Sequence, residues 1–410
     1  MTDSIPNDSL KTFTSQYAWL VNPNEQPRQN VRISVVEGIV ADIADVPADE
    51  RPLIRPIAIL PRFVNAHTHL EFSQLSEPVT PAVPFPDWIR SVIRYRISRP
   101  EAGFVADSVR AGVLECRSGS TALVGEITTS NAGRETLQQL VANSQMSAIS
   151  FRELIGFRKE SIADQLVIAT QSVSASGAEM FPNVVPGLSP HAPYSVHPEL
   201  FEAIVDCAKR HDVPVAMHLG ETLDEIELLS HRSGRFVDFL SSMNLGEPAS
   251  LGNMNSLLPY LQKLAQNRIS LAVHCNYPTD AEIRFLGEHQ NVAVVYCPRT
   301  HAYFGHSQHP WRKMIDAGAT VILGTDSKAS NPDLSIWKEL QLAGSQSNVP
   351  PIWELLPLIT TAAATALGQS QTPYKISVGL PYAATTVTCA CDSLSILNAT
   401  LLSDSASILN

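Results

Sequence analysis

The chain has 410 residues, 44% hydrophobic and 17% charged, a balance that excludes a disordered chain and allows a large buried core. With 29 Lys and Arg against 40 Asp and Glu, the net charge is −11, and no Lys/Arg block favours nucleic acid or an anionic membrane. Six scattered cysteines, a polar Met1 to Gln16 without an export-signal pattern, and no apolar run of the ~18 residues a membrane span needs point to a cytoplasmic protein.

From Tyr17 to Arg55 the chain reads as short strands broken by Pro, Asn and Asp clusters: Tyr17–Val21, Val31–Val36 and Ile39–Ile43. The rhythm then changes. Apolar, β-rich runs occur at Ala58–Ala66, Thr121–Ile127, Ser147–Glu153, Asn183–Ser189, Val213–Leu219, Ile269–Cys275, Val292–Cys297 and Thr320–Gly324. Between them lie segments of helical period, among them Phe104–Arg117, Pro198–Arg210, Leu257–Gln266 and Asp280–His289. Short runs buried on both faces and alternating with helices imply a parallel sheet, and eight of them close an α/β barrel of the (β/α)8, or TIM, type. An open doubly wound sheet would usually carry a Gly-rich phosphate turn after its first strand, and none follows Ala66.

Beyond Asp326 the sequence reads as helices over Leu334–Leu342 and Ile352–Leu367, with Gly368 as the C-cap. Strand-like stretches return at Lys375–Val378, Thr385–Cys391 and Leu394–Leu397. The two strand-rich ends are each too short to bury a face alone. They are expected to join in a small β-sandwich domain, 1–61 with 372–410, beside a barrel over 62–371. Cys389 and Cys391 would share a strand face, so neither a bridge nor a metal pair is expected of them.

Barrel active sites lie at the C-terminal ends of the strands. The first run ends in His67-Thr68-His69, whose two imidazoles face one way by strand alternation. Taken alone, this pair is a weak signal and reads more readily as a chance pair in a polar loop. The fifth run, however, ends in His218 with Glu221 three residues on, the sixth in His274 and the eighth in Asp326. Four strand ends that each supply a ligand-type residue point to a bound metal ion.

These residues closely resemble the amidohydrolase superfamily, in its mononuclear deaminase and chlorohydrolase branch. Further phrases agree: Gly187-Leu-Ser-Pro-His-Ala-Pro-Tyr-Ser195, Gly324-Thr-Asp-Ser327 and Thr360-Thr-Ala-Ala-Ala-Thr-Ala-Leu-Gly368. The resemblance implies that His67, His69, His218 and Asp326 hold one divalent metal, zinc in most relatives and iron in some. The run ending in His191 has no Lys to bridge a second ion. Two departures stand out: Lys328 where relatives more often carry an apolar residue, and Gly379-Leu-Pro-Tyr-Ala-Ala-Thr385 without the usual Ala-Asp.

The resemblance further implies hydrolysis by a metal-activated water. Asp326 would take up the water proton, Glu221 would protonate a ring nitrogen of the substrate, and His274 would orient the nucleophile or stabilise the developing oxyanion. That chemistry is hydrolytic deamination of an aminated N-heterocycle, purine nucleoside-like and most similar to the substrates of adenosine-type and aminodeoxyfutalosine deaminases. Dechlorination of a triazine-like ring by the same route, and an inactive barrel acting as a binding subunit, are the alternatives. Around the pocket, His191 is a candidate for a sugar hydroxyl or ring edge, and Arg152 for a carboxylate or hydroxyls, against a salt bridge with Glu153 or Glu126. Glu71 is a candidate for a ribose, Trp88 for closing over an aromatic ring or for core packing, and His301 for a substrate contact from the 299–306 loop. The expected partner is a small-molecule substrate, with neither nucleic acid nor membrane, and a homodimer stays open.

Overall fold

The computed structural model describes residues 10–20, 26–99, 102–142, 144–174, 183–391 and 393–409. Val21, the last residue of the first expected strand, and residues 1–9 of the polar N-terminus lie outside them. Strands β1 (Leu10–Ala18), β2 (Arg28–Val36), β3 (Ile39–Asp45) and β4 (Ile57–Pro61) come first. Eight more follow: β5 (Phe63–Thr68), β6 (Thr121–Thr128), β7 (Ser147–Leu154), β8 (Val184–Pro190), β9 (Val215–Leu219), β10 (Ser270–His274), β11 (Val292–Tyr296) and β12 (Val321–Leu323). The chain closes with β13 (Ala384–Thr388) and β14 (Ile408–Leu409).

Strands β5 to β12 form one parallel sheet in sequence order, and a bridge between Thr68 and Asp326 joins its two ends into the TIM barrel. Asn65 reinforces the seam. Its amide nitrogen donates to Thr325 Oγ1 at 2.8 Å, and its Oδ1 accepts from Thr325 N at 3.1 Å. β6, β9, β10 and β11 are buried along their whole length, which is why they read as unbroken apolar runs.

The other six strands make a separate mixed sheet in the order β14-β13-β4-β1-β2-β3, so both ends of the chain contribute to it as expected. In β2 the residues Val31, Ile33 and Val35 are buried while their neighbours are not, the alternation of a strand with one wet face. Glu37 and Gly38 turn β2 into β3, both at positive φ, as a two-residue hairpin needs.

The structure corrects the expected elements in four places. The run Ala58–Ala66 is two strands, because the chain leaves the small sheet after Pro61 and enters the barrel at Phe63. Arg62 marks the crossing, its guanidinium donating to Gln145 O and Thr121 O at 3.2 Å. The segment Lys375–Val378 forms no strand. Leu394–Leu402 is a helix rather than a strand, since Leu394, Leu397 and Leu401 recur at helical spacing and the last two are fully buried. The expected helix Ile352–Leu367 breaks at Pro357 into Ile352–Leu355, a 3-10 turn Leu356–Ile359 and Thr361–Ala366, because proline lacks the N–H the helix needs. Among the described residues, no helix is long and apolar enough to cross a membrane.

Candidate metal and active site at the barrel mouth

The C-terminal ends of β5, β9 and β12 bring His67, His69, His218 and Asp326 together, with one ligand atom from each lying within 4.8 Å of the others. His69 Nε2 is 3.2 Å from both His67 Nε2 and His218 Nε2, and Asp326 Oδ1 is 3.4 Å from the Nε2 atoms of His67 and His69. A tetrahedral zinc-like ion about 2.0–2.1 Å from each ligand would separate ligand atoms by about 3.3–3.4 Å. The donor set therefore fits one divalent cation.

The groups around the four support that reading. His218 Nδ1 donates to the His191 carbonyl at 3.0 Å, and since a carbonyl only accepts, the lone pair of Nε2 is left for the cluster. Ser330 Oγ donates to Asp326 Oδ2 at 2.9 Å, leaving Oδ1 toward the histidines. Glu126 accepts from Thr68 Oγ1 at 2.6 Å and from Leu70 N at 2.9 Å, which holds the turn carrying His69. Gly324 allows the close approach of β12, because a Cβ there would meet His67 Cβ at 2.8 Å. Burial, and then the neighbouring imidazoles, hold His67 and His69 well below the usual histidine range and His218 down to about 4, so all three rings are neutral donors.

Glu221 and His274 lie beside this cluster, and each shares a ligand-sized grouping with Asp326. The Glu221 carboxyl is pushed well above the usual range by burial and then by the charges of Asp326 and Glu225, both of which favour its protonated form. Its backbone is fixed from two sides. Glu225 accepts from Gly220 N at 2.8 Å and Glu221 N at 3.1 Å, and Asn276 Nδ2 donates to Glu221 O at 2.8 Å. His274 Nε2 sits 3.6 Å from Glu221 Oε1 and is buried without a hydrogen-bond partner.

Above these groups opens a cavity of about 240 Å³. Of the five residues anticipated for substrate contact, His191 and Trp88 line it, whereas Arg152, Glu71 and His301 do not. His191 Nδ1 pairs with Ser195 Oγ at 2.6 Å, and Trp88 Nε1 donates to Ala329 O at 3.3 Å. Glu71 turns away to accept from Thr129 N and Ser130 Oγ at 3.1 and 3.2 Å. His301 packs against Tyr296, His306 and His309 in the short helix Pro298–Tyr303. Arg152 makes no ion pair with Glu153 or Glu126 among the described residues. Its neighbour Glu153 faces the cavity instead, one step out of phase with the expectation.

Two lining features were not anticipated. The helix Phe85–Ile97 forms one wall through Phe85, Trp88, Ile89, Val92 and Ile93, and its i, i+3, i+4, i+7, i+8 spacing was the signal available in the sequence. The same stripe continues to Arg96, whose guanidinium reaches Glu71 at 3.5 Å and Glu153 at 4.0 Å. The cavity thus pairs an apolar wall with a short polar edge made by Arg96, Glu153, His191 and Ser195. Such a space suits a flat heterocycle bearing a few hydrogen-bonding groups.

Comparison with known proteins agrees with this geometry. The amidohydrolase family model matches residues 58–379. The chain is 29% identical over 313 residues to a 5-methylthioadenosine/S-adenosylhomocysteine deaminase of Carboxydothermus hydrogenoformans, covering 75% of this chain and just under two thirds, 66%, of that protein. In fold it resembles the Helicobacter pylori aminofutalosine deaminase crystallised with methylthio-coformycin, with a TM-score of 0.77 at 19% identity and 97% of each chain covered. It also resembles a zinc-bound adenosine deaminase of Xanthomonas campestris, with a TM-score of 0.74 at 22% identity over 95% of this chain and 88% of the other.

Proposed function

This chain belongs to the amidohydrolase family, and from that premise we propose that it is a metal-dependent aminohydrolase that replaces the exocyclic amine of an adenosine-like heterocycle by oxygen and releases ammonia. The observation that carries the reading is the buried Glu221 carboxyl beside a cluster of four ligand-type residues at the floor of a largely apolar cavity. His67, His69, His218 and Asp326 would hold one divalent cation, zinc in the first instance. When bound, such an ion supplies Lewis-acid activation of water at neutral pH.

The remaining steps belong to this chain's own residues. As the C–O bond forms, Asp326 accepts a proton from the attacking water, with Ser330 steadying its other oxygen. Glu221 donates its proton to the ring nitrogen next to the carbon under attack, so negative charge does not build on the ring. His274 orients the attacking oxygen through its unpartnered Nε2. The proton held by Asp326 then passes to the amine, the C–N bond breaks with release of ammonia, and the hydroxyl proton shed as the C=O bond forms restores the proton of Glu221. Trp88 and the apolar wall would stack on the heterocycle, while His191, Glu153 and Ser195 would take its hydroxyl or ring-edge groups. Glu71 and Arg152 would act behind that edge, Glu71 through Arg96.

The similarity to deaminases of methylthioadenosine and adenosine supports a purine nucleoside as substrate. Six cysteines without a disulfide support the cytoplasmic assignment. The test is ammonia release by the metal-loaded protein across adenosine-, methylthioadenosine-, guanine-, cytosine- and pterin-type compounds, with metal content measured in parallel. Turnover of the adenosine types is expected. No ammonia from any of them, at about one metal per chain, would overturn the reading.

A further inference from the structure

Three histidines after β11 (His301, His306 and His309) remain outside the cavity, and His309 has the most defined surroundings. It is buried, its ring stacks on Tyr296 with centroids 4.1 Å apart, and its Nε2 lies 2.9 Å from the carbonyl oxygen of His274. A carbonyl only accepts, so His309 is the Nε2–H tautomer donating across 35 residues of sequence.

That carbonyl sits at a special point of the chain. His274 and Cys275 are consecutive residues with φ of 69° and 50°, a conformation that residues with a side chain rarely adopt even singly. The turn swings the chain from β10 back toward the segment bearing Glu221. Cys275 N donates to Leu219 O and Asn276 N to Gly220 O, both at 2.9 Å, tying the turn to the end of β9. These bonds hold the far side of the turn, and His309 holds the carbonyl of His274 itself. A buried carbonyl without its donor would favour a rotated peptide, and rotation would carry the His274 ring away from Glu221.

We propose that His309 is a positioning residue that locks the left-handed turn at His274 and thereby sets the 3.6 Å approach of the His274 ring to Glu221. The inference rests on the role given to His274 in the proposed function. His309 touches neither substrate nor metal ligand and acts through the backbone. Its ring fits the task because stacking on Tyr296 fixes its direction, and Pro310 restricts the backbone that carries it.

The test compares His309→Phe, which keeps ring volume but removes the donor, with His309→Gln, whose amide can still donate. In the metal-loaded protein, His309→Phe is expected to keep its metal and its KM while kcat falls roughly 10- to 100-fold, the scale of a misaligned catalytic group. The pH profile of kcat should change shape, and His309→Gln should recover most of the loss. An unchanged kcat and pH profile in His309→Phe, with only a lower Tm, would overturn the proposal, as would equal loss in both folded variants. Should His309→Phe not fold, nitrogen-detected NMR of the wild-type imidazoles decides: a slowly exchanging Nε2–H at His309 supports the proposal and an Nδ1–H tautomer overturns it. His274→Gln separates the two levels. If it leaves turnover intact, the reading of the site fails; if it abolishes turnover while His309→Phe is silent, this inference alone fails.

Discussion

Replacing Glu221 by Gln removes one transferable proton and little else. The amide has the volume of the carboxyl, and the backbone there stays clamped by the side chains of Glu225 and Asn276, whose bonds of 2.8 to 3.1 Å reach only main-chain atoms of Gly220 and Glu221. Gln can still donate to a ring nitrogen, so substrate binding should persist and KM should move by less than about threefold, within the range of a retained hydrogen bond. Proton transfer by a positioned acid contributes about 10²- to 10⁴-fold, or roughly 2.7–5.5 kcal/mol of barrier. The upper half of that range applies here, because the group is buried and burial favours its protonated form. Steady-state ammonia release, normalised to metal content, is the assay. Full metal occupancy with a kcat within tenfold of wild type would refute the assignment of the acid.

Other consequences follow from the same geometry. His218→Asn is expected to lose most of the bound metal, and chelation should abolish turnover and lower Tm, by about 4 kcal/mol of stabilisation if the ion is present at a thousand times its Kd; unchanged Tm on chelation would count against a resident ion. Gly324→Ala places a methyl group 2.8 Å from His67 Cβ, so metal affinity should fall at least about tenfold, the scale of disturbing a ligand's support, as isothermal titration of the apoprotein would show. Arg96→Gln leaves Glu71 and Glu153 without their shared cation, and KM should rise about tenfold with kcat nearly kept, the signature of lost binding rather than lost chemistry.

A pH effect is expected away from the metal. Glu339, wholly buried, is pushed up from 4.5 to about 8, chiefly by desolvation that Arg299 and Asn331 only partly offset. A carboxyl whose folded value is raised binds its proton more tightly in the native state. Its favourable contribution is therefore complete below about 4.5 and is lost as pH climbs through about 8. Glu339→Gln cannot ionise, so its stability relative to wild type should improve between pH 5 and 8 by on the order of a few kcal/mol, read as a widening difference in Tm. A constant Tm difference across that range would show that Glu339 is already ionised throughout.

Much of this protein can be read along the chain because barrel chemistry concentrates at strand ends. His67-Thr68-His69, His218, His274 and Asp326 each close an apolar run, and strand alternation aims His67 and His69 the same way. Glu221 is legible for the same reason, three residues beyond His218. The substrate edge is not. Arg152 and Glu153 are adjacent in β7, and which of them faces the cavity depends on the register of β7 against β6 and β8, which local pattern leaves open. Glu71 and His301 have the right chemistry but are held elsewhere by Thr129 and Tyr296, contacts that span a loop and a helix.

The number of runs, their burial and the residues that end them follow from local pattern, because hydrophobic period and turn chemistry act within a few residues. Closure of the ring, the wall made by Phe85–Ile97, the crossing at Arg62 and the bond from His309 to His274 do not. Each joins groups whose separation is set by how strands tilt and helices pack over the whole barrel, a property no window of sequence contains. The four ligand-type residues stand out along the chain only when taken together, and the 3.2–3.4 Å spacing between them exists only where the ends of β5, β9 and β12 converge.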